Sequence, residues 1–331
     1  NYPFCTIEPN VGIVQIPDPR LDAIAEIAGS KVRYPAVMQF VDIAGLVAGA
    51  SKGEGLGNKF LAHIRETEAI VHVVRCFEDT DVMHVAGSVD PIRDIEIIDT
   101  ELCLADLTTL EKALLKVQAK SRAGDKEAIM QQQYMEKMQT ILSEKGPLRE
   151  EPMEEGLELE AKRLQLLTIK PVLYVANCDD DFENSHVVAL GAWLKEKSAD
   201  MLLVSVKIEA ELANMEVDEQ MEFLKDMGYE EPGLHRVIRA SYQLLGLATF
   251  FTAGPKESRA WTCRKGSTAV EAAGVIHTDF SKHFIRAEVI PYVSYIEHKG
   301  ESAAKLAGVW RLEGKEYILH DGDVIYFRVS A

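Results

Sequence analysis

The chain has 331 residues, enough for two or three domains, and its 47% hydrophobic content supports ordinary packed cores. Its net charge of -17 excludes an evenly spread nucleic-acid-binding surface, because such a surface would repel a polyanion. No apolar run approaches the roughly 20 residues of a membrane span, and the five cysteines include no C-x-x-C pair. We therefore expect a cytoplasmic protein with reduced thiols, no structural zinc, no membrane contact and no DNA contact.

Five short apolar runs in the first 245 residues predict strands, and helical patterns lie between most of them. The runs are VGIVQI, AVMQFVD, AIVHVVRCF, PVLYVAN and MLLVSV. Such alternation predicts an α/β fold, with a mostly parallel sheet and helices on both of its faces.

The run AVMQFVD ends on Asp42, and a glycine-rich segment that includes Gly45 follows it. The carboxyl ends of parallel strands are where open α/β sheets bind ligands, so Asp42 is a candidate ligand of Mg²⁺. Gly45 has no Cβ to keep an anion away from its backbone N–H. The D-x-x-G order therefore indicates a nucleotide switch, whose loop a phosphate contact would order. The alternative is a strand that ends on an aspartate and continues into a flexible loop.

The alternation of strands and helices breaks between Asp99 and about Gln165. Two heptad-like apolar stripes lie there, separated by Gly124-Asp125. The first stripe comprises Cys103, Leu107, Leu110, Leu114 and Val117, and the second Tyr134, Met138 and Ile141. They predict an antiparallel helical hairpin inserted into the sheet domain, with the acidic stretch REEPMEEGLELE as its loop or second turn.

Two later strands end on polar residues. PVLYVAN ends on Asn177, whose side-chain amide can donate and accept hydrogen bonds on a purine edge, and MLLVSV runs into Ser205. Asn177 to Asp180 has the spacing of the guanine-binding motif N-K-x-D, and Ser205-Val206-Lys207 resembles the S-A-K loop that supports a bound base. A strand-terminal asparagine is also a common turn former. The interpretation as a nucleotide site therefore depends on the order of the motifs along the chain: D-x-x-G, then N-x-x-D, then Ser205-Val206-Lys207.

The last 86 residues are richer in short strands. TFFTAG, RAWTCRKG, IRAEVI, YVSYIEH, YILH and DVIYFRV predict strands, and TAVEAAGVI and SAAKLAG predict helices. This composition indicates a compact β-grasp module. Residues 246–331 hold 11 basic and 10 acidic residues, so an RNA contact is possible here, although a solvated surface explains the balance equally well.

Several segments resemble the YchF or Obg-like ATPases, a branch of the P-loop translation-factor GTPases. They are NYPFCTIEPN, VDIAGLVAGASKGEGLGNKFLAHIRETEAI, HVVRCFED, DKEA, EEPGLHRVIRASY, FTAGPKESRAW and HTDFSKHFIRAEVI. The resemblance covers essentially the whole chain. It implies a nucleotide-binding domain (1–98 and 166–245), a helical domain (99–165) and a TGS domain (246–331). It also implies hydrolysis of ATP with Mg²⁺, and a ribosome, ribosomal subunit or stress-related partner.

The resemblance assigns roles by position. Thr6 would reach Mg²⁺ from the first switch, and Asp42 and Gly45 would form the second. Leu46 stands where many relatives carry a catalytic glutamine, and an apolar side chain cannot orient a water, so His84 is the expected catalytic residue. The base would be bound by Asn177, Cys178, Asp180, Ser205, Val206 and Lys207.

The sequence departs from the family pattern in two ways. No G-x-x-x-x-G-K-[ST] loop occurs in these residues, so we expect it upstream of Asn1, and we expect the chain as written to bind nucleotide poorly. The base motif reads N-C-D-D, and the carboxylate of Asp180 suits guanine, so a GTPase remains an alternative to the favoured ATPase. A non-catalytic scaffold that binds the ribosome, RNA or a protein is the other alternative.

Overall fold

The computed structural model describes residues 10–43, 56–79, 87–179 and 181–330, with the backbone alone at 56–59 and 217. The chain divides into two compact units, which are described separately below. The first unit comprises Asn1–Val11 and Val41–Val237, and the second Gly12–Phe40 and Ile238–Ala331. The three domains drawn from the resemblance remain predictions.

The described residues form the following elements, numbered in chain order. The strands are β1 (Asn10–Gln15), β2 (Val32–Tyr34), β3 (Val37–Asp42), β4 (Ile70–Arg75), β5 (Val172–Asn177), β6 (Met201–Val204), β7 (Leu247–Ala253), β8 (Glu257–Arg264), β9 (Phe284–Ile290), β10 (Arg311–Glu313) and β11 (Val324–Val329). The helices are α1 (Pro19–Ala28), α2 (Leu56–Glu66), α3 (Pro91–Arg122), α4 (Lys126–Glu144), α5 (Glu155–Arg163), α6 (Ser185–Glu196), α7 (Val206–Leu212), α8 (Val217–Asp226), α9 (Gly233–Leu244), α10 (Ala269–Ile276), α11 (Thr278–Lys282), α12 (Tyr292–Glu297) and α13 (Glu301–Leu306). Leu148–Glu150 adds one 3-10 turn.

The first unit contains a parallel three-stranded sheet in the order β4-β5-β6. Its core packs Val74 and Tyr174 against Ile95 of α3 and Leu190 of α6. The runs that predicted parallel strands here are confirmed, although the strand in MLLVSV is shorter than predicted. It ends at Val204, since the hydroxyl of Ser205 caps the next helix by accepting from the backbone N–H of Ile208 (3.4 Å). The strands β1 and β3 pair in a separate sheet of two strands, and most of their residues belong to the second unit.

Helices α3 and α4 form the antiparallel hairpin that the two apolar stripes predicted. Leu110 and Leu114 of α3 pack with Met135 and Met138 of α4 in one buried cluster. Helix α3 begins eight residues before the predicted break at Asp99, because Asp90 caps its amino end and Pro91 suits its first turn. The acidic stretch after the hairpin contains helix α5 rather than a loop alone. None of the described helices is long and apolar enough to cross a bilayer.

The second unit contains a mixed six-stranded sheet in the order β10-β9-β11-β7-β8-β2. Hairpin β7-β8 is antiparallel, while β11 runs parallel to β7. Phe250 and Phe251 of β7 are both fully buried, in separate apolar clusters. Consecutive strand residues point to opposite faces, so both faces of this sheet are covered.

Two strands predicted in the C-terminal module were wrong. YVSYIEH contains helix α12, because Pro291 ends β9 and presets the backbone of a first helical turn. YILH contains no strand, and its Ile318 makes only an isolated bridge to Thr268. Both segments are rich in β-branched and aromatic residues, whose strand preference yields here to local context.

Candidate functional site

The three parallel strands of the first unit end level with one another. Arg75 of β4 pairs with Asn177 of β5, which pairs with Val204 of β6. Cys76 N–H donates to the carbonyl of Asn177 (2.8 Å), and Cys178 N–H donates to the carbonyl of Val204 (3.1 Å). The segments that follow the strands therefore meet at one edge, the position where open α/β sheets bind ligands.

The side chain of Asn177 joins two of these segments. Its Oδ1 accepts from the backbone N–H of Val206 (3.1 Å). Within the described residues no acceptor is paired with its Nδ2, which leaves two N–H donors for a ligand. The acceptor atoms of a purine, N7 in both bases and O6 in guanine, suit such donors.

Cys178 contributes its backbone to this edge and its side chain to the core. The side chain is 2% exposed, and its Sγ lies 3.7 Å from the carbonyl of Ala176 and 3.6 Å from that of Val204. Burial raises the pKa of this thiol to about 11. Cys178 therefore cannot cover a base in the way that the stem of a lysine does.

The segment Ser205-Val206-Lys207 presents a different surface. Ser205 is buried and caps α7, whereas Val206 is 49% exposed and Lys207 is exposed. Val206 therefore gives this segment an exposed apolar side chain. The edge thus combines amide donors with an apolar contact, which is typical of a small-molecule site.

Helices α7 and α9 are joined just behind this segment. The carboxylate of Glu209 accepts from the backbone N–H groups of Gly233 (2.7 Å) and Leu234 (3.1 Å). A Cβ on Gly233 would lie 2.8 Å from Glu209 Oε1, so glycine permits this approach. Arg236 of α9 donates from Nη2 to the carbonyl of Leu203 (3.0 Å) and stacks against Tyr229.

One positioning residue was missed in the sequence. Asn184 donates from Nδ2 to the carbonyl oxygens of Cys76 and Asp181, both at 2.9 Å, and its Oδ1 caps α6. It therefore fastens the segment after β5 to the end of β4. The available signal was an asparagine immediately before a helical pattern, which is a typical N-cap.

The predicted site residues fall into three groups. Asn177, Cys178, Ser205, Val206 and Lys207 lie together at the sheet edge. Asp42 is exposed at the end of β3, and no described contact joins it to that edge. Thr6, Gly45, His84 and Asp180 lie outside the described residues.

The described residues contain no group of three or more histidines, cysteines or carboxylates arranged to bind a metal. Asp42 is nevertheless compatible with Mg²⁺, because it is an exposed carboxylate that no described lysine or arginine neutralises. Magnesium takes few protein oxygens and keeps several waters, so one or two ligands suffice.

Comparison with known proteins gives matches to both parts of the chain. The family model YchF-GTPase_C, described as "Protein of unknown function (DUF933)", matches residues 247–330. The model MMR_HSR1, described as "50S ribosome-binding GTPase", matches residues 1–112. These matches confirm the predicted class of enzyme, a nucleoside triphosphatase.

Relatives match over almost their whole length. "Ribosome-binding ATPase YchF" of Haemophilus ducreyi is 56% identical over 333 residues, which cover 100% of this chain and 92% of the relative. The protein of the same name in Bacillus subtilis is 48% identical over 335 residues, again 100% and 92%. The solved structure titled "Structure of the Schizosaccharomyces pombe YchF GTPase" matches with a TM-score of 0.87 and 37% identity, covering 99% of this chain and 90% of that one. The fold class expected from the sequence is confirmed, and the chain belongs to the YchF family.

Proposed function

We propose that this protein hydrolyses ATP to ADP and phosphate and acts as a ribosome-associated molecular switch in the cytoplasm. The names of the relatives, "Ribosome-binding ATPase YchF", support both the substrate and the partner. The structural observation that carries the proposal is the amide of Asn177 at the carboxyl end of the central parallel strand, hydrogen-bonded to Val206.

The same hydrogen bond favours adenine over guanine. At the 6-position of the purine, guanine presents the acceptor O6, whereas adenine presents an amino group. A free backbone N–H beside that position would therefore favour binding of guanine. The N–H of Val206 already donates to Asn177 and is not available to O6. Asn177 Nδ2 donates to N7, which both purines carry, and Val206 packs against the base.

Competition between ATP and GTP for the full-length protein tests the choice of base. We expect ATP to displace a labelled adenine nucleotide at lower concentration than GTP does. GTP is the competing substrate, since the S. pombe relative is titled a GTPase and Asp180 suits guanine. Equal or tighter binding of GTP would overturn the ATP assignment and leave a GTPase.

Hydrolysis requires groups for the phosphates and for the attacking water. Thr6 and Asp42 would hold Mg²⁺, which neutralises charge on the phosphates. The backbone N–H of Gly45 would bind the terminal phosphate. The apolar side chain of Leu46 cannot hydrogen-bond the attacking water. The neutral imidazole of His84 would therefore orient this water towards the phosphorus and accept a proton from it.

Substitution of His84 tests this assignment. In the full-length protein, His84→Ala is expected to lower kcat for ATP by at least about 100-fold, because general-base catalysis contributes on that order. The Kd for ATP should change little. His298→Ala, which alters a histidine at the end of α12, is the matched control and should keep normal turnover. Equal turnover in both variants would remove His84 from the mechanism.

The ribosome contact separates a switch from a scaffold. A switch binds ribosomal subunits differently with ATP and with ADP, because the nucleotide state changes its conformation. A non-catalytic scaffold binds equally well with either nucleotide or with none. Cosedimentation of the full-length protein with subunits under these three conditions distinguishes the two functions.

A further inference from the structure

The free end of the α3-α4 hairpin has a charge opposite to that of the chain as a whole. Five basic residues lie between positions 112 and 126, and we call them the basic tip: Lys112, Lys116, Lys120, Arg122 and Lys126. The only acid in this stretch is Asp125, whose carboxylate caps α4 by accepting from the N–H of Ala128 (2.9 Å). A chain with a net charge of -17 thus concentrates positive charge at one place.

Three of these lysines form a row along one face of α3. Lys112, Lys116 and Lys120 are spaced by four residues, so successive ammonium groups are about 6 Å apart along the helix axis. All three are exposed, and Leu110 and Leu114 pack on the opposite side of the helix. The row therefore faces away from the hairpin core.

The described part of the chain supplies no carboxylate to these five side chains. Other lysines of the same helical region are paired instead: Lys137 with Glu154, Lys145 with Glu151, and Lys162 with Glu158. An exposed run of charge is often only a solvated face. Here the unpaired cations are gathered at the tip while the paired ones lie elsewhere, which favours an external polyanion.

We propose that the basic tip binds the phosphate backbone of structured RNA in the ribosome. The inference rests on the proposed ribosome association and names the surface that makes the contact. Lysines act as point charges and suit phosphates rather than base edges, so the contact is independent of sequence. This places an RNA contact on the helical hairpin, in addition to the possible contact considered for residues 246–331.

A protein partner is the competing occupant, because Leu115 is 71% exposed next to the row. A single exposed leucine is common on protein surfaces, whereas the five cations in these 15 residues are accompanied by one acid, Asp125, whose carboxylate caps α4. Charge complementarity therefore favours RNA, and Leu115 provides the variant that tests the alternative.

The experiment measures binding of full-length protein to ribosomal subunits and to protein-free ribosomal RNA over a series of salt concentrations. The tip variant Lys112→Gln/Lys116→Gln/Lys120→Gln is compared with Lys137→Gln/Lys145→Gln/Lys162→Gln, which removes the same charge from paired lysines. Each lost phosphate contact lowers the slope of log affinity against log salt by about one, so the tip variant should lose about two to three in slope. Its affinity at physiological salt should fall at least about 10-fold, and Lys→Arg at the three positions should restore binding.

The control variant should bind as the unchanged protein does, and ATP turnover should be normal in all variants. Equal salt slopes for the tip variant and the unchanged protein would overturn the proposal. Loss of binding in Leu115→Ser, with an unchanged slope in the tip variant, would assign the surface to a protein partner instead. Failure of the unchanged protein to bind subunits would refute the proposed ribosome association, and binding to protein-free RNA would then still decide the role of the tip.

Discussion

At the scale of single residues, the side chain of Asn177 has two polar atoms in different situations. Its Oδ1 accepts from the N–H of Val206, and no acceptor among the described residues is paired with its Nδ2. Cys178, the next residue, turns its side chain into the core. Asn177 shapes the site through Oδ1 and, in the proposed function, contacts the base through Nδ2, so a suitable pair of substitutions can separate the two roles.

Asn177→Asp is expected to keep the hydrogen bond to Val206 and to lose the donors to the base. Asn177→Ala loses both, so the two variants share a defect in nucleotide affinity but differ in stability. We expect each to weaken ATP binding by about 10-fold, because one net hydrogen bond contributes about 1 kcal/mol or more. Asn177→Ala should in addition unfold at lower denaturant concentration.

Titration of a fluorescent ATP analogue and urea unfolding of the same full-length samples provide the two measurements. Lys207→Gln, on the exposed segment beside Val206, serves as a stability control. If Asn177→Asp binds ATP as tightly as the unchanged protein, the donors of Nδ2 do not contact the base.

At the scale of elements, buried polar groups attach the hairpin to the rest of its unit. The carboxylate of Asp106 in α3 is fully buried and accepts three hydrogen bonds, from Leu167 N–H (2.8 Å), Thr168 N–H (2.8 Å) and Thr168 Oγ1 (2.7 Å). Asp99, nearly two turns earlier, forms an ion pair with Arg149, whose side chain is 10% exposed. These contacts fix the root of α3, because an unsatisfied buried carboxylate would be costly.

Asp106→Asn is expected to lower the free energy of unfolding by about 2–4 kcal/mol. The amide has one oxygen where the carboxylate had two, and its NH₂ meets a donor, which leaves a buried N–H unpaired. Urea unfolding followed by circular dichroism measures the loss. Glu111→Gln, at an exposed position of α3, is the control and should change stability by less than about 0.5 kcal/mol. A stability equal to this control would show that the three hydrogen bonds contribute nothing.

At the scale of the whole molecule, local patterns were predictable and long-range contacts were not. The strand that ends at Asn177 and the two stripes of the hairpin follow from periodicity, which depends on neighbouring residues alone. The bond from Asn184 to Cys76 joins segments 108 residues apart, and no local pattern reports such a contact. Asp99 and Asp106 did leave a signal, since they continue the helical spacing of the apolar stripe with acidic residues.

The same limit explains the errors in the C-terminal module. In YVSYIEH, side-chain propensity predicts a strand, whereas the preceding Pro291 favours a helix start. A helix forms because the proline fixes the backbone angle φ. The role of Val206 was equally hidden, because only the folded edge shows that Asn177 uses its N–H. The argument for adenine over guanine, which remains a proposal, therefore draws on a contact that the sequence does not report.

Chemical labelling of the buried cysteines tests the packing of both units in one experiment. Cys76, Cys103 and Cys178 of the first unit and Cys263 of the second are buried, and burial raises their pKa values to about 11 or 12. The thiolate is the reactive form, so these four should resist iodoacetamide at pH 8. Mass spectrometry of peptides from native and urea-unfolded samples measures the labelling, and the unfolded sample should react at all of them. Rapid native labelling at Cys263 alone would show that the core of the second unit is looser than its packing indicates.

Helix α3 has a mechanical consequence. It is one unbroken rod of 32 residues, about 48 Å long, that starts beside the β4-β5-β6 sheet and ends in the lysine row. Its root is held at Ile95, Asp99 and Asp106, so the part of the helix beyond Asp106 acts as a lever arm about 24 Å long. A tilt of about 5° at Asp106 would carry the far end through about 2 Å, enough to break a hydrogen bond. A small rotation of α3 at Asp106 would thus be enlarged into the making or breaking of contacts at the lysine row.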